Sequence, residues 1–397
     1  MINNLIRIYR LFPKNVWMLT LLQILFAART TFFASNRAVG DYSVGTGLST
    51  ILIFVVISLS IFVITKNLHY FKQANRVIYK LIIFYLLCIL SLLWAGLHIV
   101  IVFKALEVLC NLYLMYIIAS KIGDIKLLYI YIIVLSTLMT YIDVLNSIRL
   151  FGFGFFHTNS YSMSAMIGFL LSVQAIKYNV LSSKEIRIFL ILNLLAIIGG
   201  TSSATYIAFI FGLILVYSSN RKGFNFGLFI FIVIIAIWIY YIFNDIIFDF
   251  VFQGKSQNEI ETGTGRSRIF EAAINAWKDS PILGHGYIIG ERSLGKYGLG
   301  INVLSTHNSF LAILVDTGII GLLVFLNFLL SWIYNLINKS KKNIYATMII
   351  PTLMACLVNC LAFPAIGADW TYVGSLIFLM YIMTNLYIKN NNNIVKS

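Results

Sequence analysis

The sequence predicts an all-α, polytopic integral membrane protein with about twelve transmembrane helices and one large extracytoplasmic loop. Three observations predict it. Hydrophobic residues make up 60% of the 397 residues and charged residues 11%, whereas a soluble domain carries about 25% charged residues; the mean hydropathy is +0.90. The apolar residues lie in long unbroken runs, such as 51–65 and 226–243, and not in the alternating segments of about ten residues that build a membrane barrel. The basic residues behind the net charge of +15 fall between these runs, which points to membrane orientation and away from nucleic acid as a partner.

Taken in order, the apolar runs centre near residues 25, 56, 87, 110, 136, 167, 194, 211, 235, 320, 354 and 379. The first follows Arg7, Arg10 and Lys14 and is interrupted by Arg29. It resembles a signal peptide, but the same alternation continues down the chain and favours an uncleaved first helix. The runs near 194 and 211 meet at a small polar turn, Gly199 to Ser203. With the N-terminus in the cytoplasm, cytoplasmic segments hold 19 of the 29 basic residues, among them Lys66, Lys72, Arg76, Lys80, Lys121, Lys126, Lys177, Lys184, Arg187, Lys339, Lys341 and Lys342. Both termini then lie in the cytoplasm, and residues 244–308 form the large loop on the other side. The whole chain, 1–397, reads as a single membrane-embedded domain with that loop as its site-bearing part.

Within the loop, residues 266–278 read as a short helix. Ile269, Ala273 and Ala276 fall near one face beside Phe270 and Trp277, and Asp279, Ser280 and Pro281 end it. A loop this long with patterned aromatics and many glycines reads as ordered and functional. Elsewhere Cys88, Cys110, Cys356 and Cys360 all sit in apolar runs and read as buried small hydrophobes. Lys104 and Glu107 stand at i, i+3 inside a span and read as a structural ion pair. Asp316 lies inside a span, where a carboxylate needs a reason to be. Nine residues separate it from His307, so on a regular helix the two are not direct partners. Asp369, Trp370 and Tyr372 mark an outer boundary, as interface anchors or as a carbohydrate-facing patch. His98, His157 and His285 have no evident partner in the sequence, and His69 reads as a solvated loop residue. The polar tail from Asn390 is assigned no structure.

The chemistry is narrowed by what the sequence lacks. There is no GxxxxGK[ST] phosphate loop and no DxD-like pair in a cytoplasmic domain. A transferase built this way takes its donor from the membrane. The loop reads Thr262-Gly-Thr-Gly-Arg266-Ser-Arg268-Ile-Phe270, then Pro281-Ile-Leu-Gly284-His-Gly286, then Thr306-His307-Asn308-Ser-Phe310, and Asp316-Thr-Gly318-Ile-Ile-Gly321. This order resembles the family of O-antigen polymerases (Wzy-type) and O-antigen ligases. That family shows Gly-Arg with an aromatic four residues on, a Pro and Gly-x-Gly, a His-Asn opening the next helix, then an acidic residue with two glycines. A weaker likeness runs from Arg149 through Gly154 and His157 to Asn159, with Thr158 where the family often has Pro. Many members carry Ser-Arg after the seventh span, and here Ser203 stands in place of that Arg.

The resemblance implies a glycosyltransferase that polymerises lipid-linked oligosaccharide repeat units of capsule or O-antigen polysaccharide. Donor and acceptor are both glycans on a polyprenyl (undecaprenyl) diphosphate, no metal or other cofactor is implied, and the seat is the extracytoplasmic side of the bacterial cytoplasmic membrane. Membrane lipid surrounds it, and a flippase and a chain-length regulator of the same pathway are the implied protein partners. His307 is implied as the base and Arg266 as the diphosphate ligand, with Arg268, Arg149, Asn308 and Asn159 as further substrate-binding residues. The residue types suit those roles: arginine stays charged and grips phosphate bidentately, and histidine exchanges a proton near neutral pH. Two alternatives stay open. One is a ligase that moves a finished glycan to another acceptor. The other is a flippase, which would line many spans with charge. Intramembrane charge here is sparse, and the polar residues gather outside.

Overall fold

The computed structural model describes residues 11–32, 48–96, 99–151, 159–220, 223–224, 266–297 and 305–388. The regular structure of the described residues is helical apart from a short antiparallel ribbon pairing Ser219–Asn220 with Gly223–Phe224. The helices are α1 (Lys14–Phe32), α2 (Leu48–Lys66), α3 (Phe71–Leu90), α4 (Leu92–Ala95), α5 (Ile99–Ile122), α6 (Ile125–Phe151), α7 (Asn159–Lys177), α8 (Ser183–Gly199) and α9 (Ser203–Ser218). After the ribbon come α10 (Arg266–Asp279), α11 (Ile289–Arg292), α12 (Ser309–Ser340), α13 (Ile344–Asn359) and α14 (Tyr372–Met383), the last extended by a π-turn at Thr384–Ile388. Every expected span except the one near 235 has its helix. That span lies outside the described residues, as do Arg7, Arg10, His98, His157 and the tail from Asn390.

Apolarity is distributed as a bilayer requires. Every residue of α14 from Tyr372 to Met383 is buried, as befits a helix surrounded by others. Around it, α1, α2, α3, α8, α9 and α12 present Met18, Phe54, Leu86, Leu195, Ile207 and Leu330 outward. Water would not tolerate this belt, and lipid covers it. The protein is an all-α, polytopic membrane protein. Interior packing uses small residues to bring helices close: a side chain at Gly168 of α7 would overlap Ser136 of α6 and Asn193 of α8. The four cysteines are buried and free of disulfides.

The bundle has two chemically distinct ends. One gathers Lys66, Lys121, Lys177, Lys339 and Lys341, and there the Lys177 ammonium caps the C-terminal carbonyls of α9 at Val216 and Ser219. The other end carries α10, α11 and the polar side chains described below. The third span departs from its sequence reading. The helix begins at Phe71, so Lys72, Arg76 and Lys80 stand on its first turns and not in a flanking segment. Lys80 donates to Ser331 and Asn327 of α12. A long basic side chain can lie along an apolar surface and still find polar partners, so the basic stretch continues the helix.

Candidate functional site

The polar end is organised by a break in α12. Gly318 has φ 65° and ψ −167° in the middle of that helix, a conformation that only glycine adopts without strain. The backbone groups released there are taken up by the segment 281–286. His285 N–H donates to the Val315 carbonyl (2.9 Å) and Gly286 N–H to the Asp316 carbonyl (2.8 Å). In return Ile319 N–H donates to Pro281 (2.9 Å) and Ile320 N–H to Ile282 (3.3 Å). The approach is so close that a Cβ on Gly284 would lie 2.5 Å from the Asp316 backbone, and one on Gly318 would overlap the Ile282 carbonyl. This is why the sequence places glycines at these positions. The sequence reading weighed only the stretch from His307 to Asp316 on a regular helix and did not foresee the break at Gly318.

Asp316 is answered by the same segment. Its carboxylate accepts Ile288 N–H (2.8 Å) and Glu291 N–H (3.0 Å), and the buried Arg292 attracts it as well. It caps the first turn of α11, and its task is structural. Packing beside it, α10 buries Ala272, Ala273 and Ala276 against Val315 and Leu294. Ile269 is also buried, so the helix face read from the sequence is the one that docks. Trp277 Nε1 donates to the Pro281 carbonyl (3.0 Å), and His285 Nε2 lies 2.6 Å from the Ala276 carbonyl. His285 therefore has a partner that its sequence neighbours did not reveal.

Arg266 opens α10, and its side chain lies outside the described residues; Arg268 follows and is exposed. At the head of α12 stands His307, half-buried, with φ 52°. Its N–H donates to Ser305 Oγ (3.1 Å). Asn308 caps α12: Oδ1 accepts Phe310 N–H (2.9 Å) and Leu311 N–H (3.1 Å), and Nδ2 donates to the Leu361 carbonyl (3.1 Å). The Asn308 amide thus builds the corner that presents His307. The Glu291 carboxylate lies behind that corner and accepts Thr306 N–H (2.8 Å). Burial pushes the Glu291 carboxyl up, against hydrogen bonds from Thr306 that pull it down. Nothing local in the sequence marks Glu291 out among the glycines around it.

Asn159, at the head of α7, accepts from Ser202 Oγ (2.5 Å), the N-cap of α9. Thr205 Oγ1 donates to Ser202 and accepts from Asn359 of α13 (2.9 Å). Ser203 opens α9 beside this cap and is buried. Arg149 is exposed at the end of α6, where Nη2 donates to Asn146 (2.9 Å). Next to it Asp143 accepts from Ser160 (2.6 Å) and Tyr372 (2.5 Å). The Lys104–Glu107 pair forms at 3.3 Å, and Asp369 joins it 2.8 Å from the ammonium. Trp370 and Tyr372 are 5% and 4% exposed, so they are interior residues and not interface anchors. His69 is exposed at the opposite end. The intramembrane charges therefore have partners, while α10 and the His307 corner face outward.

No curated protein matches the chain at a significant level. Residues 188–326 match the family model described as O-antigen ligase. That stretch runs from α8 through the broken α12 and takes in Arg266, Arg268, His307, Asn308 and Asp316, but not Arg149 or Asn159. The likeness read from the sequence is borne out over that stretch, which is similar to the O-antigen ligase family.

Proposed function

We propose that the protein polymerises lipid-linked oligosaccharide repeat units of capsule or O-antigen polysaccharide on the extracytoplasmic face of the bacterial cytoplasmic membrane. The observation that carries this reading is that α10 docks on the first turns of α12, whose head carries His307. Val315, where α10 docks, lies within the first two turns of α12, and His307 stands just before the Asn308 cap of the same helix. A histidine and a helix opened by two arginines are thus brought to one polar end beside lipid.

The chemistry follows from those groups. A hydroxyl oxygen of the acceptor glycan attacks the anomeric carbon of the donor, the bond from that carbon to the diphosphate oxygen breaks, and the diphosphate leaves with the electron pair. His307 takes the hydroxyl proton, help of about 10² to 10⁴ in rate. Arg266 and Arg268, with Arg149 across the end, neutralise the departing charge. Asn308 and Asn159 frame the site by fixing helix ends. The test is the protein in liposomes with a synthetic polyprenyl-diphosphate repeat unit, its products run on a gel. A ladder from the wild type that His307→Ala and Arg266→Ala lack is expected. Ladders from the variants would sink the assigned roles.

A second reading, a ligase acting on the same donor, is supported by the description of the matched family model. A single transfer to an added foreign acceptor, without a ladder, would decide for it. The partners found for the buried charges support an enzyme over a flippase.

A further inference from the structure

We propose that Glu291 is a positioning residue for His307, an inference that rests on the reading of His307 as the base. Residues 305–308 lie in no helix of their own, yet His307 holds φ 52° there, a left-handed backbone that is unfavourable for a non-glycine residue. Something must fix that conformation. Glu291 is 6% exposed, and its Oε1 is reached by three donors from the corner: Thr306 N–H at 2.8 Å, Thr306 Oγ1 at 2.9 Å and Ser305 Oγ at 3.4 Å. The backbone N–H of Glu291 is in turn held by Asp316 at 3.0 Å. A closed path thus runs from the break in α12 through Asp316, α11, Glu291 and Thr306 back to the head of the same helix. Its two cross-links, Glu291 N–H to Asp316 and Thr306 to Glu291, are hydrogen bonds to carboxyl groups. His307 sits at the point where this path meets the site, and no atom of Glu291 need touch substrate.

The test separates positioning from mere support of the fold. Each variant is purified, its fold checked by thermal unfolding in detergent, and kcat and KM measured for polyprenyl-diphosphate repeat unit in liposomes. Glu291→Ala is expected to lower kcat by roughly 10² at unchanged donor KM, the cost of an ångström-scale misplacement of a catalytic group. Glu291→Gln keeps an acceptor for Thr306 N–H and should restore most of the rate. Thr306→Val removes the hydroxyl donor to Glu291 while keeping the N–H and should also lower kcat, with Thr306→Ser restoring it; this pair decides if Glu291→Ala fails to fold. An unchanged kcat in Thr306→Val and in any folded Glu291→Ala, with His307→Ala inactive, would overturn this inference alone. Full activity of His307→Ala would remove the base reading and this inference with it.

Discussion

His307, Asp316 and Glu291 show how differently three polar residues of one motif are used. His307 is presented at a helix head, Asp316 is enclosed by backbone amides, and Glu291 joins the two. Only the first two were legible in the sequence, one by its family context and one by its cost inside a span. Glu291 was not, because its partners lie 15 residues downstream in a loop that no periodicity describes. Its burial has a measurable consequence. The folded protein holds the Glu291 proton more tightly than the unfolded chain, whose carboxyl titrates near the ordinary 4.5. Folding therefore takes up a proton above that value, so this group's stabilising effect is complete below pH 4.5 and is lost as pH rises through the folded pKa. The wild type should lose thermal stability over that rise more steeply than Glu291→Gln, measured in detergent across a pH series. Parallel slopes would rule out the burial effect.

Among elements, apolar runs of span length were readable because a bilayer imposes one length and one polarity on each helix. The start of α3 was misjudged because Lys72, Arg76 and Lys80 look like a flanking segment, whereas helix geometry carries them onto its first turns. The break in α12 was hidden for another reason: glycines mark it, but which glycine turns left-handed depends on the loop that packs against it. Gly318→Ala should be severe, since its φ of 65° strains any side chain and its Cβ would overlap the Ile282 carbonyl. Gly199→Ala should be tolerated, because a Cβ there meets nothing within 4 Å. Thermal unfolding and the yield of monodisperse protein in detergent distinguish the two. Equal behaviour would argue that the break is not held by packing.

On the scale of the whole molecule, the bundle separates a basic end from an end bearing α10 and the His307 corner. We propose from the positive-inside rule that the first faces the cytoplasm. Lys278 is exposed on α10 and Lys342 is exposed after α12, while the four native cysteines are buried. A cysteine at Lys278 should react with a membrane-impermeant maleimide in intact cells, and one at Lys342 only after permeabilisation. The reverse pattern would invert the topology and move the proposed chemistry to the cytoplasm. Alternation of helix ends was legible from charge alone. The convergence of α6, α7, α9 and α14 on one end was not, since it depends on long-range pairs such as Asn159 with Ser202 and Asp143 with Tyr372.

The reciprocal backbone pairing between 281–286 and 315–320 has a consequence for recombining this protein with its relatives. Four hydrogen bonds fix the spacing of both strands of that seam, so a residue inserted or removed on either side shifts the register of all that follow. The interval from Pro281 to Ile320 is therefore one exchangeable cassette. A chimera joined outside it keeps both halves of the seam, and one joined inside it mates two halves that were shaped separately.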